Sequence, residues 1–345
     1  MSTQVAAPAF VIRDFKPADE VPVLDLLNLT LGSGRAFERS MAFFRWKHLY
    51  NPFGPSLMLL ADSERILGLR AFLRWQFHAG QRMIYAVRAV DTATHPEYQR
   101  MGIFSRLTSA CVERARTEGV HLVFNTPNQY SMPGYLKLGW THVGRTTVFV
   151  RPLKPVRIAR SFLAPRLGIV LDSEGDASGR WPTVDELLKN EGGVIDLLAR
   201  DDARLADGIR TARSSAFLRW RYAQVPSLQY GAYWTGGSGG SLQAAAIFRL
   251  TRRRGLRELM VCELLMDTER DGRRVVLEVL RSTNADYAVA HCAWSAPHWR
   301  VLLSAGFVPV PRGPHFTVKP LAGNFDVDPM SFAAWRLVLG DLELF

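Results

Sequence analysis

One motif occurs twice in this chain, and it limits the fold more than any other feature. Phe43-Phe44-Arg45-Trp46-Lys47 recurs as Phe217-Leu218-Arg219-Trp220-Arg221, and a proline follows each tryptophan by six residues, Pro52 and Pro226. The order of elements behind the two copies also repeats. After the first copy come strand-like runs at 56–61, 65–77 and 82–94, then a helix at 102–118. In that helix Ile103, Leu107, Ala110, Cys111 and Ala115 fall at three-to-four spacing. A strand at 120–125, a short helix at 131–138 and strands within 141–152 follow. After the second copy come runs at 228–235, 242–251 and 255–266, a helix at 271–283 and a strand at 286–291. A short helix then ends at Gly306-Phe307, matching Gly139-Trp140. Two similar α/β units are the economical reading of such a repeat.

Ahead of the first copy, 10–15 alternates like a strand, 18–31 reads as an apolar helix, and 36–49 as a second helix stopping at Asn51-Pro52. The expected organisation is a first unit at 1–152, a Pro-, Arg-, Gly- and Ser-rich linker at 153–182, and a second unit at 183–322. Residues 323–345 are expected to form a helical tail closing on Phe345. The Gly236 to Gly240 run lies between two strand-like runs and reads as a hairpin tip.

With 345 residues, 48% of them hydrophobic, each unit can bury its own core. Cys111, Cys262 and Cys292 are widely spaced and odd in number, which argues against a disulfide framework or a zinc module. No run approaches the about 20 apolar residues that span a bilayer, and the N-terminus shows no signal-peptide pattern, so a cytoplasmic protein is expected. A net charge of +11 favours anionic partners. The basic residues are dispersed without a nucleic-acid motif, so a nucleic-acid partner is not expected.

Chemistry concentrates at Ala93-Thr94-His95-Pro96-Glu97-Tyr98-Gln99-Arg100-Met101-Gly102-Ile103-Phe104-Ser105, a strand end, a polar loop with one glycine, and the first turn of a helix. Backbone N–H groups in such a loop, backed by a helix N-terminus, suit a pyrophosphate. Gly102 allows close approach of the backbone, and Arg100 adds positive charge at the rim. It is neither a Walker loop nor a GxGxxG fingerprint, and a plain strand-to-helix connection is the competing reading.

Gln99-x-x-Gly102-x-Phe104, followed by Asn128, Tyr135 and Gly139-Trp140, resembles the GNAT superfamily of acyl-CoA N-acyltransferases. The family's loop reads Gln/Arg-x-x-Gly-x-Gly/Ala, so Phe104 is a bulky departure. Asp91 to Thr94 matches an Asp-x-Ala-Thr strand ending found in tandem-domain bacterial members. The resemblance covers roughly residues 8–152. It implies two units, each a mixed, mostly antiparallel sheet flanked by helices (class α/β, α+β), and acetyl-CoA as cosubstrate between the fourth and fifth strands. It further implies that backbone of Thr92, Ala93 and Thr94 holds the pantetheine arm. Gln99, Arg100, Met101, Gly102, Ile103, Phe104 and Ser105 would hold the pyrophosphate, and Asn128 would contact the cofactor arm. A neutral primary amine of a small molecule or amino sugar attacks the thioester directly, and Tyr135 protonates the departing thiolate. Asp91 is the first candidate for the base, with local backbone capping as its rival role. The terminal carboxylate of Phe345 is a more distant candidate, by analogy with related enzymes whose C-terminus reaches the site.

In the second unit the same landmarks fall on Leu302 and Ser295, neither suited to the cofactor role. Its loop, Asp267 to Arg274, carries three acidic residues that oppose an anion. That unit is expected to be degenerate and to wall the acceptor site. Arg252, Arg253 and Arg254 could contact an acidic acceptor there, or simply form a solvated hairpin tip. Cys111 is expected in the core, and Trp46, Trp75, Trp220 and Trp299 in the core or the cleft wall. Two readings from other classes remain, a non-catalytic acyl-CoA sensor and a tRNA-dependent aminoacyl transferase. The CoA-type loop argues against the second and Tyr135 against the first.

Overall fold

The computed structural model describes residues 9–31, 39–163, 181–236, 240–310 and 313–342. The first half runs β1 (Val11–Asp14), α1 (Glu20–Leu31), α2 (Met41–His48), β2 (Leu57–Asp62), β3 (Ile66–Ala79) and β4 (Arg82–Thr94). It continues with α3 (Ile103–Thr117), β5 (Leu122–Asn125), α4 (Met132–Lys137), β6 (Thr141–Arg145) and β7 (Val148–Pro152). Then come α5 (Pro155–Leu163), α6 (Val184–Leu188), α7 (Glu191–Arg204), β8 (Ile209–Thr211) and α8 (Ser215–Leu218), which passes into a π-turn at Arg219–Ala223. The second half continues β9 (Gly231–Gly236), β10 (Leu242–Arg253), β11 (Leu256–Met266), α9 (Glu269–Ser282) and β12 (Tyr287–His291). The chain closes with α10 (His298–Ser304), β13 (Val308–Val310), β14 (His315–Pro320) and α11 (Leu339–Leu342).

Two mixed sheets result. The first is ordered β1-β2-β3-β4-β5-β14-β6, with β8 pairing β3, and the second β13-β7-β12-β11-β10-β9. Between named strands, only β4 with β5 and β11 with β12 pair in parallel. This is the expected class, with helices flanking mostly antiparallel sheets.

Each sheet is completed by a strand from the other half. β7 lies between β12 and β13, while β14 lies between β5 and β6. The exchange happens where Thr146 passes Gly313 and Pro314: Thr146 donates its N–H to the Pro314 carbonyl, and Gly313 donates to Thr146 O, at 3.0 and 3.1 Å. A Cβ on Gly313 would collide with the Thr146 carbonyl, so the crossing requires glycine.

The repeated motif turns out to be the seam between the halves. Trp46 and Trp220 stack with centroids 5.1 Å apart. Each indole N–H donates to the other's backbone carbonyl, at 2.7 and 2.9 Å. One continuous core therefore runs between the sheets, joining Phe43, Trp46 and Trp75 to Phe217, Trp220 and Trp335. Two outer clusters lie under α3 and α9, and Cys111 belongs to the first of these.

Two expectations need correction. The tail at 323–345 is not one helix: among its described residues it is irregular, with bends and turns, a 3-10 turn at Phe332–Ala334 and the single turn α11. Pro329 disfavours a continuous helix across it, and Trp335 and Leu337 are buried in the common core. The expected linker contains a helix, α5, up to Leu163. Phe345 and residues 237–239 of the expected hairpin tip lie outside the described residues.

Candidate active site

β4 and β5 are paired only from Ala86 opposite Leu122 to Arg88 opposite Phe124. β4 then runs on to Thr94 without that neighbour, so the two strands splay. On its other side β4 bulges: Leu69 faces Ala93 but Ala71 faces Val90, leaving Asp91 and Thr92 opposite the single residue Arg70. Asp91 takes a φ of 39°, an uncommon backbone state for a residue without special flexibility. Bulge and splay together present the backbone of Thr92, Ala93 and Thr94 toward the gap.

The loop beyond the strand leads to the start of α3. Arg100 and Gly102 have φ of 65° and 77°, two left-handed residues within three positions. Such alternation points successive N–H groups to one side, as in anion-binding nests. Among the described residues, the N–H groups of Ile103, Phe104 and Ser105, the first turn of α3, meet no acceptor. No acidic residue stands in that turn, and a Cβ on Gly102 would meet nothing within 4 Å. Uncapped donors, an open approach and no opposing charge fit a pyrophosphate. Gln99, Arg100 and Ser105 are exposed at the rim, while the Ile103 side chain is buried under the sheet.

Phe104 does not point into the open loop. Its ring crosses from α3 to α4, where a Cβ on Gly134 would lie 3.1 Å away, and meets Tyr135 edge-on at 5.7 Å. Tyr135 is buried between Phe104 and Trp140, and its hydroxyl oxygen accepts from Arg70 Nη1 at 2.9 Å. The same Nη1 donates to Thr92 Oγ1. Asn128 sits just ahead of α4, where its side-chain oxygen accepts the N–H groups of Tyr130 and Ser131 at 3.0 and 2.9 Å. That leaves only its NH2 for a ligand.

Asp91 turns away into a buried charged cluster. Its oxygens take Arg39 Nη2 at 2.9 Å, Lys47 Nζ at 2.5 Å and His48 Nε2 at 3.1 Å. Burial alone would raise its pKa, but Lys47, His48 and Arg39 outweigh this and hold the carboxyl well below the usual range. Burial pushes His48 down despite Asp91. With the ring neutral, Nε2–H donates to Asp91 and Nδ1 accepts the Ser56 hydroxyl at 3.0 Å.

The end of the described chain docks at the foot of the splay. Arg88, on β4, donates to the carbonyls of Asp341 and Leu342 and to Thr126 Oγ1. Burial and the nearby Arg221 lower the Arg88 pKa to about 9, against the pull of Asp341. Asp341 pairs with Arg213 at 3.2 Å and accepts from Thr211 at 2.8 Å; Arg213 also pairs with Glu263 at 2.8 Å. Sequence reasoning missed Arg39, Lys47, His48, Arg70 and Arg88 as site neighbours. Arg70 and Arg88 did carry a signal, each a charge flanked on both sides by apolar residues within its strand.

Part of the chain, and its fold, have counterparts among known proteins. Residues 12–143 match the model of the GNAT acetyltransferase domain. The match spans β1 to β6 and covers less than half of the chain. Among solved structures, a probable N-acyltransferase of unknown function from Enterococcus faecalis V583 shares 11% identity at a TM-score of 0.65. That match covers 91% of this chain and 73% of the other. A GCN5-related N-acetyltransferase from Anabaena variabilis shares 15% at the same TM-score and the same coverages. An N-myristoyltransferase of Saccharomyces cerevisiae with bound myristoyl-CoA shares 11% at 0.56, covering 92% and 81%. At these identities the likeness is one of fold. A sequence search of curated proteins gives no match. Among the described residues, no helix is long and apolar enough to cross a membrane.

Proposed function

We propose that the protein is an acyl-CoA-dependent N-acyltransferase whose single acyl-CoA site lies at the splay of β4 and β5. The observation that carries this is the combination of a bulged β4 end that β5 no longer accompanies, an uncapped α3 N-terminus free of acidic residues, and a buried tyrosine hydroxyl between them. Acyl-CoA supplies the acyl thioester. N–H groups of Gly102 to Ser105 hold the pyrophosphate, and the backbone of Thr92 to Thr94 aligns the thioester arm and polarises its carbonyl. Asn128 offers its NH2 at the mouth. Tyr135 gives its hydroxyl proton to the sulfur as the carbon–sulfur bond breaks.

The acceptor is a primary amine of a small molecule, with amino sugars as the first class to screen. Asp91, first in line as the base, is better read as a clamp. A carboxylate saturated by three partners and held well below its usual pKa is a weak proton acceptor at neutral pH. It fixes the bulge and ties α2 to the site. The acyl group is acetyl in this reading, and the fold shared with a myristoyl-CoA enzyme makes chain length the first variable to test.

The experiment is release of free thiol from acetyl-CoA and from myristoyl-CoA over a panel of amines, with Tyr135→Phe as control. Amine-dependent thiol release, reduced about 10²-fold or more in the variant, supports the reading. Thiol release by neither donor would sink it, and preference for the long donor would correct the acyl group alone.

A further inference from the structure

Arg70 is the least compensated charge in the first half. It lies in the middle of β3 and is wholly buried. Among the described residues, no carboxylate pairs with it, and its Nε and Nη2 meet no acceptor. Among the described residues, the hydrogen-bond partners of its side chain are two hydroxyl oxygens, those of Thr92 and Tyr135, both accepting from Nη1. The guanidinium is otherwise enclosed by rings, Phe72 at 4.9 Å, Tyr135 at 5.2 Å and Phe104 at 5.7 Å. Elsewhere in this protein deep arginines have carboxylates or several carbonyls, as Arg213 has Glu263 and Asp341, and Arg88 has Asp341 and Leu342.

A buried cation without an anion is costly to fold, and replacement by an apolar side chain commonly stabilises such a site. A chain that keeps one beside a reactive tyrosine has a use for the charge. We propose that Arg70 is the positioning residue for Tyr135 and the standing counter-charge for the anion that acyl transfer creates at this point. This rests on Tyr135 being the proton donor, as read above.

The chemistry follows from the hydrogen-bond direction. Because Nη1–H occupies a lone pair of the Tyr135 oxygen, the phenolic O–H is directed away from the guanidinium and remains the free donor. As the amine nitrogen bonds to the acyl carbon, the carbon–sulfur bond breaks and its electron pair goes to sulfur. The sulfur takes the Tyr135 proton, giving the free thiol, and the negative charge moves to the phenolic oxygen 2.9 Å from Arg70 Nη1. The surplus proton on the new amide nitrogen leaves to solvent and Tyr135 is reprotonated, so the balance is acyl thioester plus amine giving amide plus thiol. Charge is never created far from a fixed cation, and the cation is already in place before reaction.

The test uses the whole protein and three probes: free CoA, dethio-CoA lacking the sulfur, and acetyl-CoA. Calorimetric titration of free CoA at pH 8 in two buffers of different ionisation enthalpy counts the protons released on binding. The native protein is expected to release a fraction of a proton with CoA and none with dethio-CoA. In Arg70→Met that release is expected to disappear, with the dissociation constant for acetyl-CoA within about threefold of native and kcat down about 10²-fold at unchanged KM. The melting temperature of Arg70→Met is expected to equal or exceed the native value, whereas a merely structural arginine would lower it. Arg70→Lys keeps a charge and is expected to retain part of the proton release.

A clear drop in melting temperature of Arg70→Met, or proton release equal to native in that variant, overturns the inference. So does a native protein that binds CoA and dethio-CoA with the same proton count. Failure of the underlying reading looks different: no binding of CoA by native protein, or Tyr135→Phe with native kcat.

Discussion

The two parallel strand pairs of this protein, β4 with β5 and β11 with β12, begin alike and end differently. Both separate beyond a few paired residues, and both have a bulge where they do, at Asp91-Thr92 in one and at Cys262 in the other. In the first, the following helix α3 starts at an uncapped glycine with no acid in its first turn. In the second, α9 starts at Thr268, whose side chain accepts from Asp271 N–H, and carries Glu269 and Asp271 in that turn. The donors that could take a phosphate in α3 are partly satisfied and guarded by like charge in α9. The gap itself is also treated differently. Beside the second bulge, a Cβ on Gly340 would lie 3.1 Å from Cys262 O, so the C-terminal segment fills that place. One architecture thus provides a cleft in one half and a seat for the chain's own end in the other.

The largest expected contrast is between Tyr135 and its counterpart Leu302. Tyr135→Phe should lower kcat about 10²–10⁴-fold with acyl-CoA affinity retained. Leu302→Ala should leave kcat per folded molecule unchanged and destabilise by about 2–5 kcal/mol, since Leu302 is a buried core residue. Steady-state kinetics beside denaturant unfolding separates the two, and a kinetic defect in Leu302→Ala would break the comparison.

Next is the seat of the C-terminal segment. Asp341→Ala leaves Arg213 with Glu263 alone and removes the acceptor for Thr211 and Val338. Breaking such a buried pair should cost about 3–5 kcal/mol, read by the unfolding midpoint. The two loop glycines give a smaller, sharper contrast. Gly102→Glu should weaken acetyl-CoA binding about 100-fold or more; the position is sterically open, but its φ of 77° strains any side chain and should also cost about 1 kcal/mol of stability. Gly272→Glu should spare binding and lower the melting temperature, because its Cβ would press on Met266 Sδ at 2.7 Å.

The smallest effect concerns pH. Burial holds His291, at the end of β12, down to about 4, although its bond to the Thr147 carbonyl favours protonation. The unfolded chain takes up this proton near pH 6.5, so between pH 6.5 and 4 the unfolded state binds more protons. Stability from this group is therefore complete above about pH 6.5 and falls on acidification, by about 2 kcal/mol at pH 5. His48 shifts in the same direction. Unfolding midpoints of native and His291→Gln protein at pH 7.5 and 5 should show a smaller acid loss in the variant.

Much of this was legible in the sequence where the information is local. Helix α3, the strands around it and the order of the second half follow from periodicity and turn residues. The paired Gly139 and Gly306 take nearly the same φ, 85° and 81°. The exchange of β7 and β14 was not legible, because an apolar alternating strand carries no label of the sheet it joins; only the Thr146–Gly313 crossing decides it. The Phe-x-Arg-Trp repeat announced two units but not that its tryptophans would stack on each other. The roles of Asp91 and Arg70 depend on partners from 22 to 65 positions away in the chain, which spacing cannot reveal. The tail misled because its apolar residues suit a helix equally well as an irregular segment pressed into a core.

The central claim is that only the first splay takes acyl-CoA, and the stoichiometry of acetyl-CoA binding tests it most directly. Calorimetric titration should give one site per chain in the native protein and in Gly272→Glu, and none in Gly102→Glu over the same concentration range. Two sites per chain, or one site that survives in Gly102→Glu, would contradict it.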